Sequence, residues 1–143
     1  MNSQKTLRVG MLGFGVVGGE VARLIIANQK DLTARSGAHL DLVKIGVRNL
    51  ARPNVAKELL TTDLDSIVKD ASIDLIIEVI GGIEPAKTLI LEALKNGKSV
   101  VTANKALLAK HGAELFAAAD QGGVDLYYEA AVAGAIPILR PLR

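Results

Sequence analysis

Short apolar runs rich in β-branched residues alternate along this chain with segments whose apolar residues recur every three or four positions. The first pattern predicts strands buried on both faces, and the second predicts helices that cover them. The predicted strands span residues 6–12, 40–47, 74–80, 99–102 and 124–128. Their alternation with helices predicts an α/β fold with a doubly wound, mostly parallel sheet and helices on both faces.

Local signals predict how several connections are built. Residues 32–38 are small or polar around a glycine and predict a surface loop. Pro53 suits the first turn of a helix that would continue to Leu60. Asn104 can cap the helix that follows it, which Gly112 is expected to interrupt.

Composition narrows the possible function classes. The chain has 143 residues, is 50% hydrophobic, and carries 17 Lys+Arg against 15 Asp+Glu, for a net charge of +2. One folded domain is the default at this length. With 3% aromatic residues and no basic run, the sequence argues against a nucleic-acid partner.

Other classes are excluded by what the sequence lacks. It contains no cysteine, which rules out disulfides, thiolate metal sites and a cysteine nucleophile. No export signal is visible at its start, and no apolar run approaches the length of a membrane span. We therefore expect a soluble, cytoplasmic protein without a membrane partner.

A glycine fingerprint lies between the first predicted strand and the first predicted helix. Gly13, Gly15 and Gly18 spell GxGxxG. In such a motif the first glycine allows a tight turn, the second lets the backbone approach a pyrophosphate, and the third permits close packing. In its strand–turn–helix setting the motif predicts a Rossmann-type, dinucleotide-binding domain rather than a purely structural turn.

The end of the second predicted strand bears on the choice between NAD and NADP. An acidic side chain there would hold the ribose hydroxyls, whereas an arginine would receive a 2′-phosphate. The sequence offers Arg48 and no carboxylate, because Asp41 lies at the other end of the strand. This favours NADP(H), although a solvated arginine or a dual preference remains open.

Lys105 begins a predicted helix, where the helix dipole disfavours a cation. The residue would lie beyond the carboxyl end of a parallel strand, in the crevice where doubly wound sheets bind ligands, and could assist proton transfer there. A surface lysine that extends its charge into water is the alternative. The spacing alone does not separate the two.

Four segments together resemble homoserine dehydrogenase. They are GFGVVG at 13–18, IGG at 80–82, VTANKALLA at 101–109 and EAAVAGAIPI at 129–138. Their order and separation are similar to those of that family's amino-terminal nucleotide domain. The resemblance implies reversible, nicotinamide-dependent interconversion of L-homoserine and L-aspartate 4-semialdehyde, a step toward threonine and methionine.

The resemblance also implies roles for particular residues. Lys105 would be the catalytic lysine near the nicotinamide and substrate. The implied cofactor-binding residues are Gly13, Phe14, Gly15, Val16, Val17, Gly18, Arg48, Gly81, Thr102, Ala103 and Lys105. Na⁺ or K⁺ would be held by oxygen atoms of Glu129, Val132, Gly134 and Ile136. Composition alone would instead make Glu129 a helix cap.

Domain organisation follows from the same likeness. Residues 1–130 would form the NAD(P)-binding domain, and residues 131–143 would begin a connection to a missing substrate and dimerisation domain. That domain would hold further substrate-binding carboxylates and a second lysine. We therefore expect cofactor binding with little or no turnover from this chain, and a homo-oligomer for the full-length enzyme. Another Rossmann oxidoreductase and a non-catalytic dinucleotide sensor are the competing hypotheses.

Overall fold

Six parallel strands form one sheet in the computed structural model, which describes residues 5–52 and 54–128. The strands are β1 (Lys5–Leu12), β2 (Ala38–Gly46), β3 (Leu60–Thr61), β4 (Leu75–Glu78), β5 (Ser99–Thr102) and β6 (Leu126–Tyr128). Their order across the sheet is β3-β2-β1-β4-β5-β6, and every neighbouring pair is parallel. The predicted Rossmann-type α/β fold is confirmed, with the order reversing between β1 and β4.

The helices divide between the two faces of this sheet. They are α1 (Val16–Ala27), α2 (Gln29–Ser36), α3 (Leu64–Lys69), α4 (Ala86–Lys95) and α5 (Lys105–Gly122). Val21 and Ile25 of α1 pack with Met11 and Ile77 on one face. Ile90 of α4 lies in the separate core on the other face. No helix in the described ranges is both long and apolar enough to cross a membrane.

Two connections differ from the predictions. Residues 29–36 form a helix where a loop is predicted from residue 32 onward, and Gly37 ends it in the left-handed conformation at φ 76°. Leu32 is the one side chain buried along this helix, so there was no apolar periodicity to reveal it.

The second difference lies after β2. Instead of the helix predicted up to Leu60, the structure has a short 3₁₀ turn at Lys57–Leu59 followed by β3. Leu60 enters the sheet opposite Ile45, and the Val47 N–H donates to the Thr61 carbonyl at 2.9 Å. Pairing with an open strand edge therefore overrides the local helical pattern.

Lys98 is a buried lysine that directly precedes β5, at the amino end of the sheet. The Lys98 ammonium donates to the carbonyl oxygens of Asp70 and Ile73, and burial lowers its pKa against the opposing effect of the Asp70 and Asp74 carboxylates. The Asp70 carboxylate accepts from the hydroxyl of Ser72 at 2.7 Å and from its N–H at 2.8 Å. These bonds, led by the one from the hydroxyl, hold the pKa of the Asp70 carboxyl below its usual value.

This arrangement predicts a pH-dependent effect of Ser72→Ala. A carboxyl whose pKa is lower in the folded state adds stability above its ordinary pKa, and that stability is lost as the pH falls through the folded value. The variant should melt below the wild type at pH 7, and the difference in Tm should shrink below about pH 4. Thermal melts of the wild type and the variant, at pH 7 and at pH values down to below about 4, measure this difference in Tm. Ser66→Ala is the control, because the Ser66 hydroxyl donates to a backbone carbonyl and its effect should not shrink.

Candidate functional site

The turn between β1 and α1 uses its three glycines differently. Gly13 has φ 103°, and a Cβ there would lie 3.1 Å from the backbone of Val79 and Ile80. A Cβ on Gly18 would lie 2.8 Å from the Gly13 carbonyl oxygen. A Cβ on Gly15 would meet no atom within 4 Å. The first and third glycines therefore serve the fold, and the second leaves space that the protein itself does not use.

The first turn of α1 faces that space. Gly15 caps the helix without a side-chain hydrogen bond, and no acidic residue lies in the first turn. The first N–H groups of a helix have no partner within it, and they add to the positive end of the helix dipole. The residues fit an anion such as a diphosphate at this point.

A cleft of about 530 Å³ opens beside the turn, at the carboxyl edge of the sheet where the strand order reverses. Ligands of open α/β sheets bind at this place. Residues at the ends of four strands, β1 to β4, contribute to its wall. The lining residues are Gly13, Phe14, Gly15, Gly46, Val47, Arg48, Arg52, Thr62, Leu64, Val79, Ile80 and Pro85.

Two arginines line this cleft where it borders the carboxyl end of β2. Arg48 and Arg52 both line it and both are exposed. The segment between them contains no acidic residue, and the Asn49 side chain accepts a hydrogen bond from the Ala51 N–H at 2.8 Å. Two guanidinium groups on a locally stabilised turn suit a phosphate.

A network of buried polar groups lies at the carboxyl ends of β4 and β5. The Glu78 carboxylate accepts hydrogen bonds from the N–H groups of Ile80 (2.8 Å) and Gly81 (3.3 Å) and from the Thr102 hydroxyl (2.5 Å). Asn104 caps α5 as predicted, because its side-chain oxygen accepts from the Leu107 N–H at 3.1 Å.

Lys105 follows that cap and is exposed at the start of α5. It forms no ion pair with any residue in the described part of the chain. The first turn of α5 contains no acidic residue that would neutralise it. Its ammonium group is therefore available to a ligand at the carboxyl edge of the sheet.

The structure brings most of the predicted cofactor residues to one edge. Gly13, Phe14, Gly15 and Arg48 line the cleft, and Val16, Val17 and Gly18 begin α1. Gly81 lies in the loop after β4, at φ 82°. Thr102 is fully buried against Glu78, Ala103 is half-buried, and Lys105 follows them.

The predicted alkali-metal residues lie outside the described residues. These are Glu129, Val132, Gly134 and Ile136. Within residues 5–52 and 54–128, no group of three or more His, Cys, Asp or Glu side chains could hold a metal ion.

Sequence reasoning missed Glu78 and Arg52. A signal for Glu78 existed, since a single carboxylate in an otherwise apolar central strand must be buried and therefore needs donors. Arg52 gave none, because its position depends on the turn at 49–51 rather than on a strand or a helix.

The family model described as "Homoserine dehydrogenase, NAD binding domain" matches residues 13–129. The chain belongs to this family. The homoserine dehydrogenases of Mycobacterium tuberculosis (strain H37Rv) and Corynebacterium glutamicum are 52% and 51% identical to it over 140 and 137 residues. Those matches cover 97% and 94% of this chain but 32% and 31% of those proteins.

A solved structure gives the same result. The crystal structure of a homoserine dehydrogenase from Thiobacillus denitrificans matches with a TM-score of 0.84 at 48% identity, covering 94% of this chain and 32% of that one. The chain thus spans about a third of the length of the homoserine dehydrogenases it matches.

As a member of the homoserine dehydrogenase NAD-binding family, the chain takes a nicotinamide dinucleotide as its cofactor. Its residues fit that group. The space beside Gly15 is open, and the α1 N-terminus borders it. The adjoining cleft of about 530 Å³ lies within the usual size of a small-molecule site.

Proposed function

We propose that this chain is the nucleotide-binding part of a homoserine dehydrogenase, which interconverts L-homoserine and L-aspartate 4-semialdehyde with NADP(H) in preference to NAD(H). One observation carries the proposal: a single cleft joins the glycine turn to Arg48. The groups that would donate hydrogen bonds to the diphosphate and to the ribose phosphate therefore lie along one wall of this cleft. The VTANK segment adds Lys105 at the same sheet edge.

Each part of the cleft has a task in this proposal. The amides of Gly15 and the start of α1 bind the diphosphate, whereas the Gly13 N–H donates to the Gly46 carbonyl and holds the turn in place. Phe14, Val16 and Val17 line the bound dinucleotide. Gly81 and Ala103 lie at the same edge, where the nicotinamide end would approach.

Lys105 acts on the substrate oxygen. A bound nicotinamide supplies or accepts the hydride. The Lys105 ammonium stabilises or protonates the oxygen on which negative charge develops, and the Asn104 cap holds the helix start from which that side chain extends. With no carboxylate in the first turn of α5, its charge remains available to that oxygen.

The remainder of the enzyme completes the site. Residues 1–130 form the nucleotide domain, and residues 131–143 begin the connection to a domain that supplies substrate carboxylates and a second lysine. We place the full-length enzyme in the cytoplasm as a homo-oligomer. Na⁺ or K⁺ bound by Glu129, Val132, Gly134 and Ile136 remains a prediction. This chain by itself binds cofactor with little or no turnover.

Arg48→Ala tests the choice of cofactor. Loss of a charge-assisted hydrogen bond to the 2′-phosphate should weaken NADPH binding roughly tenfold to a hundredfold, while NADH binding changes little. Titration of the chain with each dinucleotide measures both constants. Arg35→Ala is the matched control, because Arg35 is an exposed arginine of α2 that pairs with Asp31. Equal affinity for both dinucleotides in the wild type would contradict the preference.

Activity is tested in the full-length enzyme. A protein in which this chain is followed by its natural continuation should oxidise homoserine in the presence of NADP⁺, and this chain alone should bind NADPH without turnover. If the continuation supplies a DNA-binding segment and no homoserine oxidation occurs, the chain is a dinucleotide sensor and the proposal fails.

A further inference from the structure

Glu78 is the one buried acidic residue among those described, and its side chain is fully buried. It ends β4, where it pairs with Leu12 of β1 on one side and Thr102 of β5 on the other. No lysine or arginine within the described residues forms an ion pair with it. A carboxylate in such a place requires donors, or its burial would cost several kcal/mol.

Three donors meet that requirement. One carboxylate oxygen accepts from the N–H groups of Ile80 and Gly81, and the other accepts from the Thr102 hydroxyl. An ionised carboxylate is acceptor-only, so three donors and no acceptor are the partners it needs. Glu78 therefore bends the chain after β4 back onto the end of its own strand.

The same hydrogen bonds continue into α5. The Thr102 hydroxyl oxygen accepts from the Asn104 N–H at 3.1 Å, and the Asn104 side-chain NH₂ donates to the Gly82 carbonyl at 2.5 Å. The network is thus a closed ring from Glu78 through the 80–82 loop to Asn104 and back through Thr102. Every side chain in it is at least nine-tenths buried.

Two members of this ring adjoin residues of the proposed site. Ile80, whose N–H is bonded to Glu78, lines the dinucleotide cleft. Asn104 immediately precedes Lys105 and caps its helix. Gly81 and Gly82 have φ of 82° and 73°, so this loop conformation is one that most residues avoid and that needs holding.

We propose that Glu78 is a positioning residue, whose buried carboxylate fixes the 80–82 loop against the first turn of α5 and so sets the place of Lys105 at the same edge of the sheet as the cleft. The proposal rests on the function proposed above. Glu78 does not contact the reacting atoms itself. It acts through Ile80 on one side of the ring and through Thr102 and Asn104 on the other.

Glu78→Gln in this chain is the first test, because it keeps the shape and removes the charge. Amide hydrogen exchange at Ile80 and Gly81 should quicken roughly tenfold, since each N–H loses a charged acceptor. Exchange at Ile76, in the middle of the same strand, should stay near its wild-type rate. The dissociation constant for NADPH, measured far below the melting temperature, should rise roughly tenfold.

Glu84→Gln is the matched control. Its carboxylate is exposed at the far end of the same loop and, among the residues the structure describes, accepts hydrogen bonds only from Thr88, so neither exchange at Gly81 nor NADPH affinity should change. Equal acceleration at Ile76 and Gly81 in Glu78→Gln would show a merely structural role and overturn the proposal. Unchanged NADPH affinity would overturn it as well.

If Glu78→Gln does not fold, a second pair of variants, at Thr102, tests the same ring of hydrogen bonds. Thr102→Val removes the hydroxyl at nearly constant shape and should quicken exchange of the Asn104 amide, whereas Thr102→Ser keeps the hydroxyl and should restore slow exchange. Failure of the serine to restore it contradicts the ring. The exchange measurements need no cofactor, so absence of NADPH binding by the wild type would count against the proposed function alone.

Discussion

Gly15→Ala should weaken NADPH binding roughly tenfold to a hundredfold while leaving the melting temperature almost unchanged. The added methyl group would enter open space in the protein, so the fold has nothing to adjust. That same space is where the diphosphate must approach the backbone, and overpacking of this kind costs about 1–3 kcal/mol. Titration with NADPH and a thermal melt on the same sample measure the two effects.

Gly18→Ala is the matched variant, and it should behave in the opposite way. A Cβ there would lie 2.8 Å from a backbone oxygen, which cannot rotate aside. We expect a loss of about 2 kcal/mol in the free energy of unfolding, although alanine favours a helix. If Gly15→Ala melted earlier and kept its affinity, the roles assigned to the two glycines would be wrong.

Lys105→Ala should lower kcat for homoserine oxidation roughly 10²- to 10³-fold in the full-length enzyme. The side chain is exposed and forms no ion pair in the described part of the structure, so Tm should stay the same. NADPH affinity should change much less than kcat, because the developing charge is on the substrate oxygen.

Lys110→Ala serves as the control for that experiment. It removes another exposed lysine from the same helix, further from the carboxyl edge of the sheet. Its kcat should equal that of the wild type. A Lys105→Ala enzyme with normal kcat would leave the lysine as a solvated surface residue, which is the alternative that the sequence spacing could not exclude.

The sequence predicted the central fold well because central parallel strands are apolar on both sides. The apolar run around Ile76 and Ile77 is typical of a central strand, and it forms the buried strand β4. Gly13 and Gly15 lie in the turn after β1, where the glycine fingerprint predicts them. Asp63 and Asn104 are residue types that favour a helix start, and each caps its helix by accepting from an N–H three residues on.

Features that depend on which strands become neighbours, or on polar rather than apolar side chains, were harder to predict from the sequence. Leu60 has the same side chain in a helix or a strand, and only the free edge of β2 decides its conformation. Val17 has the spacing of a buried helix stripe with Val21, Leu24 and Ile25, yet it is 44% exposed beside the first turn. The helix of residues 29–36 buries one leucine and carries an exposed Asp31–Arg35 ion pair, and hydrophobic periodicity registers neither feature.

The site could be predicted only as far as its motifs extend. The fingerprint and VTANK segments placed Gly13 and Lys105 at one edge of the sheet. The partners of Glu78 are distant in sequence, since Thr102 is 24 residues away and meets it only through strand register. Networks of this kind depend on which strands become neighbours, and that is a property of the folded chain.

The central claim is that the Gly13–Gly18 turn binds the diphosphate of a nicotinamide dinucleotide, and amide NMR spectra of this chain titrated with NADPH test it most directly. The account predicts saturable shifts at the amides of residues 13–18, at Arg48 and at residues 79–82, with α2 unmoved. Absence of saturable shifts at the glycine turn, or shifts confined to other surfaces, would contradict it.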